Sequence, residues 1–328
     1  MTSFEEIYKG CQTEEEDTLI MESWKDMYKQ CTKENNHEEY IKVSEIASRF
    51  PQNFREDSDL IYQIKTMADL TVRIEIPLDT KTRRNGTGFV QKIRSQKGNS
   101  CPDKTCPMNG SCHKWAIATV TTVYHVINSK DPKKAMQEEL ADRAVVKVFT
   151  GEADGADEDC GKILKGFKLV DSDKEINNFD WCAFECVSHD DDVIFELEAS
   201  LKIHEDMQRK TYDKYKQEDK RLIVIVGYPH GGPKRMSYCE PKTGHVNRCI
   251  LKEVRDTQEW CCYSYTAATC RGSSGSPVFI LGQPLCGFGY WFGHPHNHSA
   301  WRDSEKSSLS SIGVDHLKVD NVGVNNRS

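Results

Sequence analysis

A series of short, strand-like runs after residue 70 constrains the fold of this chain more than any other feature. Residues 71–76 alternate side chain by side chain, as a half-buried strand does. Similar runs, separated by turn residues, recur at 87–94, 116–123, 143–149, 163–170, 179–187, 222–228, 246–254, 259–266, 276–281 and 284–291. Many short strands at this spacing predict an all-β barrel or sandwich.

Residues 1–70 follow a helical period instead. Apolar side chains recur at helical spacing from Leu19 to Cys31, again from Tyr40 to Ala47, and again around residues 60–67. The sequence predicts an acidic helical segment. Two alternatives stay open: a small bundle of three or four helices, or a helical extension that packs on the β domain.

The predicted organisation therefore has three parts. Residues 1–70 form the helical segment, residues 71–318 form the β domain, and residues 319–328 form a flexible polar tail. A highly charged run at about 191–218 interrupts the strand pattern and is predicted to be a helical insertion on the surface.

Charge and cysteine content narrow the possible partners and compartment. Residues 1–70 carry a net charge of −8 and the whole chain carries −7, so the other 258 residues sum to about +1. No basic surface for nucleic acid is therefore expected. No apolar run is long enough to cross a membrane, and the acidic start lacks the apolar region of a signal peptide. We expect a soluble intracellular protein whose fourteen cysteines are free thiols, buried side chains or metal ligands.

The strongest local motif lies at residues 270–279, with the sequence Cys-Arg-Gly-Ser-Ser-Gly-Ser-Pro-Val-Phe. Glycines flank Ser274, and a proline and a strand follow, as suits a turn that exposes a nucleophile. In such a turn the N–H groups of Gly272 and Ser274 can point together as an oxyanion hole. An ordinary glycine–serine turn between two strands is the alternative.

A serine nucleophile needs a base and a carboxylate that orients the base. His125, at the end of the run 116–123, is the candidate base, and Asp180, just before an apolar strand, is the candidate carboxylate. Either residue alone is unremarkable, because a histidine can be a core residue and an aspartate often starts a strand. Other histidines compete for the role of base: His113, His189, His230 and His245.

Taken together, the motifs resemble the chymotrypsin-like serine proteases. Gly-Thr-Gly-Phe-Val at 86–90, His125, Asp180 and the Ser274 turn occur in the order of that family over roughly residues 70–318. The resemblance implies two six-stranded antiparallel β-barrels with the catalytic groups in the cleft between them. It implies that Ser274 is the nucleophile, His125 the general base and Asp180 the residue that orients it.

Two departures separate this chain from the secreted members of that family. Ser273 precedes the nucleophile where the secreted enzymes have aspartate, and no processing site precedes the first predicted barrel. The Gly-Ser-Ser-Gly-Ser-Pro form is similar to intracellular members, which are regulated by assembly, loops or appended domains. Residues 1–70 are therefore a candidate site for a protein partner.

The resemblance also suggests a specificity pocket. Ala268 falls at its base, and Tyr290 and Trp291 fall at its wall. The sequence predicts an intracellular serine endopeptidase that cleaves polypeptides, with a preference for apolar or aromatic residues at P1, the position before the scissile bond. The alternative is a catalytically silent module that uses the same cleft to bind a peptide or protein in signalling or innate immunity.

No cofactor and no metal are predicted, although two clusters were weighed. Cys101, Cys106, Cys112 and His113 could hold zinc, but their spacing is not that of a standard zinc knuckle, so free thiols in a loop are favoured. The histidines at 294, 296 and 298 are interpreted as a solvated loop near the cleft.

Overall fold

The structure is a computed structural model of the 328-residue chain. It describes residues 11–13, 19–20, 24–31, 33, 37–78, 82–97, 101–103, 106, 114–127, 137–152, 161–172, 181–218, 222–240, 247–255, 258–282, 295–300, 307–310 and 313–316. Within these residues the chain is mainly β, with antiparallel strands and few helices, which confirms the predicted fold class.

The first half of the chain forms a closed antiparallel barrel. Its strands are β3 (Thr71–Pro77), β4 (Thr82–Lys97), β5 (Lys114–Val123), β6 (Val145–Val148), β7 (Lys162–Ser172) and β8 (Trp181–Ser188). Strand β4 pairs with both β3 and β5, so the order β4-β3-β6-β7-β8-β5 returns to β4. A short strand, β2 (Leu19–Ile20), pairs with Thr82 and Arg83 at the start of β4.

Strand β3 shows why the alternating pattern places this strand in the barrel. Its apolar side chains, including Val72 and Ile74, enter the barrel core. Its polar face is buried as well: Glu75 pairs with Arg73 at 2.9 Å and with Lys147 at 3.1 Å. Arg73 also donates a hydrogen bond to the carbonyl oxygen of Gly231, which ties the barrel to the second half of the chain.

The second half contributes two further antiparallel sheets. Strands β10, β9 and β13 form one, and strands β1, β14, β15, β12 and β11 form the other, with β16 also paired to β12. The bounds are β1 (Cys11–Thr13), β9 (Ile223–Gly227), β10 (Arg235–Cys239), β11 (Asn247–Arg255), β12 (Gln258–Tyr265), β13 (Val278–Ile280), β14 (His296–Ala300), β15 (Ser307–Ser310) and β16 (Gly313–His316).

The helices of the N-terminal segment pack on the β sheets. Ile46, Phe50 and Ile64 share one apolar core with Val224 of β9 and Met236 of β10. The described helices are α1 (Trp24–Lys29), α2 (Ile46–Arg49), α3 (Ser58–Leu70), α4 (Tyr124–Ile127), α5 (Gln137–Arg143) and α6 (Asp191–Tyr215). Strands β1 and β2 also occur in the region that the sequence predicts to be helical, because β4 and β14 offer edges for them to pair with.

Helix α6 corresponds to the predicted insertion. One face of the helix is charged, as expected, and the other face is buried: Val193 and Leu197 join the barrel core. Its C-terminal end packs beside α3, where Tyr215 joins the core of the N-terminal helices.

Asp57 connects the two helices. Its carboxylate caps α3 by accepting hydrogen bonds from the N–H groups of Asp59 and Leu60, and it accepts two more from Lys214 and Tyr215 of α6. Burial raises the pKa of the Asp57 carboxyl, but these hydrogen bonds outweigh it, so the pKa lies below its ordinary value. The charged form is therefore the one that stabilises the fold.

We expect Asp57→Ala to lower the free energy of unfolding by about 2 kcal/mol, because it removes both the helix cap and the link to α6. Since the pKa is lowered by folding, this contribution is present above the unfolded-state pKa of about 3.9 and is lost as the pH falls through the lower folded-state value. Urea denaturation from pH 7 to pH 3 measures it. Asp213→Ala, which removes an exposed carboxylate of α6, serves as the control and should change little.

Candidate functional site

Ser274 lies in a tight turn between β12 and β13. The N–H group of Ser273 donates to the carbonyl of Cys270 at 3.0 Å, and that of Ser276 donates to the carbonyl of Ser273 at 2.9 Å. Gly272 and Gly275 have φ angles of 85° and 89°. These angles lie in the left-handed region that favours glycine, so the two glycines on either side of Ser274 permit the turn.

The turn rests on the barrel through Thr87 of β4. The N–H group of Thr87 donates to the carbonyl of Ser274 at 2.8 Å, and its hydroxyl donates to the carbonyl of Gly272 at 2.8 Å. A Cβ atom added to Gly275 would lie 1.9 Å from the carbonyl oxygen of Thr87 and 2.1 Å from the hydroxyl of Thr122. Only glycine permits this approach of the turn to the barrel.

His125 lies on the same barrel, in a segment that packs beside the contact between Thr87 and the serine turn. It lies in α4, directly after β5, and its carbonyl accepts a hydrogen bond from Arg84 at 2.8 Å. The side chain of Val126 covers Gly86 of β4 so closely that a Cβ there would lie 2.5 Å from it. The His125 segment therefore packs over Gly86, while the Ser274 turn is bonded to the next residue of the strand. His125 and Ser274 are both buried, with exposed fractions of 7% and 2%.

The N–H groups of Gly272 and Ser274 are oriented by hydrogen bonds that fix the carbonyl of the same peptide unit. The carbonyl of Arg271 accepts a hydrogen bond from the N–H of His230, and in a trans peptide the N–H of Gly272 points the opposite way. The carbonyl of Ser273 is likewise engaged by Ser276, which directs the N–H of Ser274 away from it. Among the described residues, neither N–H group has an acceptor, and the Ser274 hydroxyl has no hydrogen-bond partner.

The other predicted site residues divide into two groups. Asp180, Tyr290 and Trp291 lie outside the described residues. Asp180 directly precedes Trp181, which is paired with Val123 at the end of β5 that leads to His125. Ala268 is described: it is buried at 2% exposure, and its carbonyl accepts a hydrogen bond from Ser237 of β10 at 2.7 Å.

His296 differs from the prediction. Instead of lying in a solvated loop, it is fully buried beside the serine turn, where its carbonyl accepts from Gly275 at 2.8 Å and its N–H donates to Ser276 at 2.7 Å. The hydroxyl of Tyr265 lies 2.7 Å from its Nδ1 atom. A solvated loop is the default interpretation of such a cluster, but histidines at alternate positions also suit a strand with one buried face.

The first cysteine cluster is brought together only in part. The Nε2 atom of His189 lies 3.1 Å from the Sγ of Cys101 and 3.4 Å from the Sγ of Cys106. Cys112 and His113 lie outside the described residues, so the favoured interpretation of the cluster as free thiols stays a prediction. The sequence indicates His189 only as a competing base, because no local pattern places it next to Cys101.

The buried cysteines of β8 have a different character. Cys182 and Cys186 are fully buried in the barrel core. Burial raises the pKa of the Cys186 thiol well above its ordinary value. The uncharged thiol is therefore strongly favoured at this position, where the side chain behaves as a small apolar residue.

Comparison with known proteins gives matches only in structure. No protein-family model and no curated protein sequence matches the chain. The Rv3671c protease of M. tuberculosis is 14% identical, with 76% of this chain and 86% of that chain covered and a TM-score of 0.36. The protease Anisep of Arthrobacter nicotinovorans is 11% identical, with 77% and 91% covered and a TM-score of 0.38.

A serine endoprotease of Yersinia pestis is 12% identical, with 77% of this chain and 60% of that chain covered and a TM-score of 0.33. These solved structures are proteases by name.

No helix in the described part of the chain is both long and apolar enough to cross a bilayer.

The contact between the serine turn and the barrel can be tested with Gly275→Ala. The added Cβ would overlap Thr87 and Thr122, and a non-glycine residue at this φ is itself strained, so we expect the free energy of unfolding to fall by at least about 2 kcal/mol. Urea denaturation followed by tryptophan fluorescence measures the loss. Gly151→Ala, at an exposed glycine, is the control, and equal stability of the two variants would contradict the contact.

Proposed function

We propose that the chain is a serine endopeptidase with Ser274 as its nucleophile. One observation carries the proposal: the buried Ser274 hydroxyl and two backbone N–H groups without an acceptor among the described residues share one turn, which lies against the barrel strand that also supports His125. A nucleophile, a base and a pair of oxyanion donors are the parts that acyl transfer requires.

In the proposed mechanism, Ser274 Oγ attacks the carbonyl carbon of a peptide bond while His125 accepts its proton. The N–H groups of Gly272 and Ser274 hold the oxyanion that forms. His125 then gives the proton to the departing amine, which leaves an acyl-enzyme. Water repeats the sequence to release the acid and restore the serine. Asp180 is assigned the role of holding the imidazole in the tautomer that accepts the proton.

Ser273 supports a distinction from enzymes activated by cleavage. Its side chain accepts a hydrogen bond from the N–H of Cys270 within the same turn, at 3.4 Å, and is buried at 3% exposure. A neutral hydroxyl bonded inside the turn offers no carboxylate for a new N-terminus. We therefore propose that activity is regulated without cleavage of the chain. An intracellular location and a protein partner for residues 1–70 stay predictions.

Labelling with a fluorophosphonate tests the nucleophile directly. We expect wild-type protein to be labelled and Ser274→Ala to give no label, because the reagent bonds only to an activated serine. Ser48→Ala, at an exposed serine of α2, should be labelled as the wild type is. Well-folded wild-type protein that takes no label would contradict the proposal and favour the silent peptide-binding module.

The substrate preference follows from Ala268. A small apolar residue at the base of the pocket provides no partner for a buried cation, so P1 Phe, Leu or Met should exceed P1 Arg or Lys in kcat/KM by at least about tenfold. A panel of fluorogenic peptides measures the ratio. Ala268→Asp should shift the preference toward Arg and Lys, whereas Ala268→Ser should not. Wild-type preference for a basic P1 residue would sink the assignment of the pocket.

A further inference from the structure

A second group of side chains lies behind the serine turn, and the proposed reaction does not use it. Cys31 and His37 come from the N-terminal segment, His230 from the turn after β9, and Cys270 from the start of the serine turn. Their four ligand atoms all lie within 4.8 Å of one another. His230 and Cys270 are buried, and the other two residues are half-buried.

The distances match those of a tetrahedral metal site. Zn–S bonds of about 2.3 Å at a tetrahedral angle separate two sulfurs by about 3.8 Å, and Zn–N bonds of about 2.0–2.1 Å separate two nitrogens by about 3.3 Å. The two Sγ atoms of Cys31 and Cys270 are 3.8 Å apart. The two Nε2 atoms of His37 and His230 are 3.2 Å apart.

The surroundings hold these side chains in place. The N–H of Lys33 lies 3.4 Å from the Sγ of Cys31 and donates to it. The ring of Tyr28 stacks on His37 with centroids 3.8 Å apart and meets His230 edge to face. His230 itself has a φ of 60°, a strained value for a residue other than glycine, and such strain persists only where the neighbouring structure enforces it.

We propose that Cys31, His37, His230 and Cys270 bind one Zn²⁺ ion, which fastens the N-terminal segment to the loop that carries Ser274. Two thiolates and two imidazoles at tetrahedral spacing select zinc among the common divalent metals, and four protein ligands leave no open position for a substrate. The site is therefore structural. This proposal replaces the sequence-based prediction that the chain binds no metal.

The position of the site explains what the ion would hold. Cys270 directly precedes Arg271, and the N–H of His230 donates to the carbonyl of Arg271, so two ligands flank the peptide that orients the N–H of Gly272. On the other side, Trp24 of α1 packs against Gly232, where an added Cβ would lie 3.0 Å from its ring. The ion would thus join α1 to the backbone that forms the proposed oxyanion hole.

Zinc content tests the site without any assay of activity. The untagged 328-residue chain, purified without chelator and equilibrated with zinc, is analysed by elemental mass spectrometry. We expect Cys31→Ser and His37→Asn each to contain one equivalent of zinc less than the wild type. Cys239→Ser, at a half-buried cysteine outside both cysteine–histidine groups, should match the wild type. Cys101→Ser should still contain at least the one equivalent of zinc that this site binds.

Equal zinc in the wild type, Cys31→Ser and His37→Asn, or wild-type protein that binds none, would overturn the site. His37→Asn provides a second, independent variant in case Cys31→Ser fails to fold. Ser274→Ala should keep its zinc, so loss of the proposed catalytic function and loss of the metal site are distinguished. Chelation should also speed hydrogen exchange in residues 24–31 and 268–276 but not in α6. Unchanged exchange in residues 24–31 and 268–276 would contradict the fastening role.

Discussion

The hydrogen bonds of Thr87 are the interactions on which the rest of the site depends. Its N–H donates to Ser274, its hydroxyl donates to Gly272 and accepts from the N–H of Tyr228, and its carbonyl accepts from Thr122. The residue is fully buried. One side chain and its own peptide groups therefore set the distance between the barrel and the serine turn, and an unmade bond at this depth would cost more than one at the surface.

The turn is held from a second direction by the segment that follows β9. The N–H of His230 engages Arg271, and Arg73 of the barrel holds the carbonyl of Gly231 at 3.1 Å. The proposed zinc ion adds the N-terminal segment to this support. The same residues that would shape an oxyanion hole are thus those through which residues 24–37 could influence it, which gives a physical route for regulation by an appended segment.

Much of the fold and part of the candidate site could be predicted from local pattern. Alternation in residues 71–76 predicted β3, and the charged run at 191–218 predicted α6. The sequence predicts His125 and Ser274 as site residues because glycine-rich turns and strand ends have local signatures. The burial of His296 was missed, because the sequence of an alternating run of histidines does not show which other segment packs over one of its faces.

The sequence by itself determined the mainly β class and the turn chemistry around Ser274, since each depends on neighbours within a few positions. Only the tertiary structure decided which distant residues meet. Cys31 and Cys270 are separated by 239 positions, yet their sulfurs are 3.8 Å apart. Such a pair has no shared spacing to detect, because the packing of α1 on the segment after β9, and of that segment on the serine turn, brings the two together.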